Sequence, residues 1–114
     1  MDSKKTFSLI LEAVKELVSK VVKEKKYIQC KFDILISTDT SFRVIVESND
    51  CIGEILVSQT DFAPYRYVKI EILSSVDVEN INIFTWYDSE NDSLDEILFQ
   101  IQKGIEIVSK YKSK

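Results

Sequence analysis

Asp88, Glu90 and Asp92 stand at alternate positions, the spacing at which a calcium loop presents its first three oxygen ligands. The rest of that signature is missing. Ser93 stands where the turn glycine belongs, and Phe99 where the bidentate glutamate belongs. An EF-hand is excluded, and neither a metal nor another cofactor is expected. Paired carboxylates also serve as acid and base, but that work needs an apolar enclosure to raise one pKa, and these acids sit in polar loops. Cys30 and Cys51 offer thiols, yet a nucleophilic thiol needs a base, and the chain has no histidine.

The missing histidine removes more than a cysteine partner. It excludes a Ser–His–Asp triad, an imidazole metal ligand and an imidazole pH switch. Two glycines leave no glycine-rich phosphate loop, and two cysteines leave no four-cysteine zinc site. The chain is therefore expected not to be an enzyme. The two cysteines read as buried thiols acting as small hydrophobes, with a disulfide as the alternative.

The aromatic residues suggest binding. Trp86 and Tyr87 end an apolar stretch just before the acidic run, and Tyr65 and Tyr67 flank Arg66 after the single proline, Pro64. Leu35, Ile45, Tyr67 and Leu73 fall at strand positions that should face solvent. Aromatics surrounded by charge are enriched at binding hot spots. The candidate partner-binding residues are Tyr67, Trp86, Tyr87, Asp88, Glu90 and Asp92. The competing readings are the rim of an ordinary core and a homodimer face.

Helix and strand periods place these residues. From about Ser3 to Lys26, Phe7, Ile10, Leu11, Val14, Leu17, Val18, Val21 and Val22 recur at helical steps, with Asp2 or Ser3 available as a cap. From Tyr27 the period becomes two. Ile28, Cys30, Phe32, Ile34 and Ile36 predict one buried face of a first strand. Phe42, Val44 and Val46 predict a second. Cys51, Gly53, Ile55 and Val57 predict a third, and Val68, Ile70 and Ile72 a fourth. NINIFTWY predicts a less regular fifth. Ser93 to Glu96 match a capping box, and Leu94, Ile97, Leu98, Ile101, Ile105, Val108 and Tyr111 form the stripe of a closing helix. Gly104 on that stripe suggests close approach to a neighbour. The strand connections are short, so neighbours must be antiparallel. The expected fold is α+β: a five-stranded antiparallel meander with both helices on one face, in the order α-β-β-β-β-β-α, as one domain over residues 1–114.

The net charge of −4 hides an asymmetry. Residues 1–26 hold seven lysines against four acids, and residues 103–114 hold four lysines against one acid, net +3 each. Residues 27–102 hold four basic residues against fourteen acids, net −10. Turn chemistry and solubility account for some of those acids. A field of that sign also steers a basic partner. It disfavours nucleic acid, although the lysine-bearing helix faces leave a weaker contact with DNA or lipid to test. Lysines followed by apolar residues superficially resemble a signal peptide, but Glu12, Lys15 and Glu16 interrupt them, and no apolar run approaches a membrane span. A cytoplasmic protein with no membrane contact is expected.

In size, acidity and lack of catalytic groups the chain is similar to small immunity proteins that neutralise bacterial toxins, and more broadly to acidic, dimeric secretion chaperones. The likeness is of general type and rests on no shared motif. It implies a binding module that blocks a basic toxin or enzyme with acidic loops and aromatic anchors. The alternatives are a chaperone working through an apolar groove or dimer face, and a small-molecule-binding domain.

Overall fold

The computed structural model describes residues 3–59 and 64–112; Asp2, one of the two candidate caps of the first helix, lies outside them. The elements are α1 (Ser3–Glu24), β1 (Lys31–Ser37), β2 (Ser41–Glu47), β3 (Cys51–Ser58), β4 (Val68–Ser74), β5 (Asn82–Tyr87) and α2 (Leu94–Lys110). The strands lie in the sheet in chain order, each antiparallel to the next. This is the α+β meander expected from the short connections.

Both helices pack on the same face of the sheet. α1 turns Phe7, Ile10, Leu11, Val14, Val18 and Val21 into the core, and α2 turns in Ile97, Ile101, Ile105 and Val108. They meet a continuous layer of Phe42, Val44 and Val46 from β2, Ile55 and Val57 from β3, and Val68, Ile70 and Ile72 from β4. Each such side chain contributes roughly 1.5–3 kcal/mol by leaving water. The two glycines face the contact between α2 and the sheet, Gly53 from β3 and Gly104 from the helix itself. A Cβ on Gly53 would stand 3.1 Å from Val108 Cγ2, and one on Gly104 would stand 3.1 Å from Ile70 Cγ2. The helix therefore seats directly on β3 and β4 because neither position carries a side chain.

The helix ends follow from local chemistry. α1 stops where Lys25 adopts φ 52°, the left-handed conformation common just past a helix, and its N–H bonds Val22 O at 3.2 Å. α2 starts where the Ser93 hydroxyl accepts from Glu96 N at 3.1 Å. The Glu96 carboxylate accepts from Gln100 Nε2 one turn on, at 3.0 Å.

β1 departs from its predicted pattern. The strand begins at Lys31, and a turn precedes it in which Cys30 N bonds Tyr27 O. Tyr27 is buried, whereas Ile28 is 84% exposed. A bulge between Ile34 and Ile36 then shifts the register, so that Ile36 pairs with Arg43 on the outer face. Ile34, Leu35 and Ile36 all stay exposed, because β1 is an edge strand and the helices pack chiefly over β2, β3 and β4.

Both thiols are free. Cys30 just precedes β1 and Cys51 opens β3, with no disulfide between them. Cys51 is buried and its Sγ lies 3.6 Å from Val108 O; burial pushes both thiols above their ordinary pKa. That is the state of small core residues rather than of activated nucleophiles.

Candidate interaction surface

The antiparallel register gathers the turn at 38–40, residues 64–67 and the run at 88–93 at one end of the sheet. All six candidate binding residues fall there, but they separate by exposure. Tyr67 is buried, with its ring edge-on to Phe7 at 5.2 Å and the Arg66 guanidinium 4.5 Å above it. It belongs to the core and offers no surface, because the residue just before β4 already follows the cover provided by α1.

Asp88 is also buried, at 3% exposure. Its Oδ1 accepts from Tyr67 N at 2.7 Å and Val68 N at 2.8 Å, so the carboxylate fastens the end of β5 to the start of β4. Its Oδ2 is buried with no partner among the described residues. Asp92 is half-buried, and its Oδ2 accepts from the backbone N and hydroxyl of Ser89, closing the turn before α2. Two members of the alternate-carboxylate run thus organise backbone, and of the three only Glu90 is exposed. Among the described residues no group of three or more His, Cys, Asp or Glu side chains could hold a metal.

Trp86 and Tyr87 point to opposite faces. Trp86 pairs with Ile70 on the core face and is half-buried. Tyr87 pairs with Lys69 on the outer face, is 39% exposed, and lies against Tyr65 with ring centroids 6.1 Å apart. Tyr65, Tyr87 and Glu90 therefore form an aromatic and acidic rim, with Asp39 and Asp95 exposed at the same end.

The outer sheet face carries a feature that the strand reading did not single out. The Glu54 carboxylate accepts from Arg43 Nε at 2.6 Å and Lys69 Nζ at 2.7 Å, tying β2, β3 and β4 together. Burial alone would push the Glu54 carboxyl up, but the hydrogen bonds and charges of Lys69 and Arg43 outweigh it and hold the group below its ordinary pKa. The bond to Glu54 in turn raises Lys69. The signal was present in the sequence: three charged residues at outward positions of three consecutive strands. Around them Ile45, Leu56 and Leu73 are half-buried. Beneath α2, the gap between Gly53 and Gly104 is about 10 Å³, room for no more than one water.

No family model, no curated protein and no solved structure matches this chain. No helix of the described residues is long and apolar enough to cross a membrane.

Proposed function

We propose that this chain is a non-catalytic protein-binding module of the immunity-inhibitor type, which neutralises a basic toxin or enzyme by covering its working surface. The observation that carries the reading is the exposed Tyr87 ring against the half-buried Tyr65, beside Glu90, at a sheet end that also exposes Asp39 and Asp95. Two rings in contact, one ending β5 and one in the loop before β4, present large contact area at low entropic cost. The surrounding acids steer a basic partner to them. Tyr67, Asp88 and Asp92 support this end of the sheet from within; the contact set narrows to Tyr65, Tyr87 and Glu90, with Trp86 at the rim.

A pull-down at low salt identifies the partner, and stopped-flow association with that partner tests the mechanism. Glu90→Lys with Asp95→Lys should slow association by about tenfold at low salt, with the difference fading as salt screens the charges. Tyr87→Ala should act mainly on dissociation. An association rate indifferent to both charge reversals, in variants with unchanged circular dichroism, would sink the reading.

The chaperone reading, including its homodimeric form, draws on a different observation: the exposed apolar side chains of β1. Binding that survives high salt would favour it.

A further inference from the structure

The two edges of the sheet are not alike. On β5 the core-side residues Phe84 and Trp86 are half-buried beside α2, with Lys103 Nζ 5.4 Å from the centre of the Phe84 ring. β1 has no such cover. Ile34 is 50% exposed, Leu35 48% and Ile36 39%, and among the described residues no strand pairs with its outer side. Its free row of backbone N–H and C=O groups can accept another strand. Beside it, between the end of α1 and the start of β1, lies a groove of about 280 Å³ lined by Val22, Ile28 and Phe32 among others, with Lys25 in its wall. Phe32 and Ile34 share the face of β1 that looks toward this groove, so apolar surface runs from the groove along the strand.

Charge selects the occupant. Residues 20–32 carry five lysines and one glutamate, all exposed, net +4 in a chain whose total is −4. A second copy would offer only its own β1, Lys31–Ser37, which carries one lysine against one aspartate and so supplies no acidic complement to that cluster. A lipid surface or a nucleic acid could meet the lysines but could not complete the backbone ladder. An extended polypeptide with acidic residues outward and apolar side chains at every second position satisfies all three demands. We propose that β1 and the adjoining groove form a strand-addition site for an extended acidic segment of a partner protein, apolar at alternate positions. The bulge at Leu35 limits the paired stretch to a few residues. The site lies at the opposite end of β1 from the 38–40 turn and does not depend on the aromatic rim.

Fluorescence anisotropy with a labelled nonapeptide alternating glutamate and valine tests it. The intact chain should bind this probe saturably. Replacing glutamate by lysine in the probe, or methylating alternate backbone nitrogens along its pairing edge, should weaken binding by about tenfold or more. Ile28→Asp, at a position exposed enough to leave the fold intact, should do the same, and so should Lys25→Glu combined with Lys26→Glu; Tyr87→Ala should leave it unchanged. No saturable binding at about 1 mM probe, equal binding of the methylated probe, or loss with Tyr87→Ala would overturn the proposal. So would a dimer in sedimentation that protects the β1 amides from exchange. Adsorption to phosphatidylserine-containing vesicles without binding of the probe would also overturn it, in favour of a lipid surface.

Discussion

Asp88 looks like the first member of a solvated acidic run, and alternate spacing alone cannot distinguish it from Glu90. The difference is geometric: the end of β5 folds the carboxylate back over β4, where two buried N–H groups need an acceptor. Asp88→Ala leaves both donors unpaired and is expected to cost about 2–3 kcal/mol in denaturant unfolding. Asp88→Asn keeps an accepting oxygen and should cost clearly less. The burial of Tyr67, expected on the outer face, is illegible for a related reason. Its position in the strand alternation says nothing of Phe7, sixty residues away in sequence, whose ring it meets. The contacts that bury both residues are long-range, whereas Ser93 at the start of α2 needed only its neighbours to be read as a cap.

The interior strands follow their alternation, because β2, β3 and β4 have the helices on one side and solvent on the other. The same pattern fails in β1, since period two specifies a face but not whether that face is covered. Gly104 on the helical stripe signals close approach to a neighbour, but the spacing does not say that Gly53 on β3 lines the same contact. In the structure Gly53 lies on β3 beneath α2 and Gly104 on the sheet-facing side of α2 itself, and they are expected to respond differently. Gly53→Val drives branched carbons into Val108 and Ile72 and should cost about 2–3 kcal/mol. Gly104→Ala adds one methyl against a side chain that can give slightly. The helix-propensity gain, up to about 1 kcal/mol, should offset the crowding and leave stability near that of the parent in thermal unfolding.

For the molecule as a whole, the meander and the charge split were legible because both are properties of long stretches. The ionic tie across the outer face was not, because it needs the register of three strands. It makes stability depend on acid in a defined direction. Glu54 titrates below the ordinary 4.5 of a glutamate in the folded chain, so its contribution is present above that value and is lost as pH falls through the lower, folded value. Glu54→Gln should cost about 1 kcal/mol at neutral pH, with solvent screening much of the Arg43 share, and the gap from the parent should close in acid. Urea midpoints measured from neutral pH into the acid range would show whether it does. The chain order of the sheet has a further consequence, for folding. Every strand pairs with its neighbour in sequence, so each hairpin can form as soon as its second strand exists. α2, which covers β3 and β4, follows all five strands. During synthesis, therefore, Ile55, Ile70 and Ile72 stand open to solvent, and to any binding chaperone, until that helix emerges and docks its Gly104 side over Gly53.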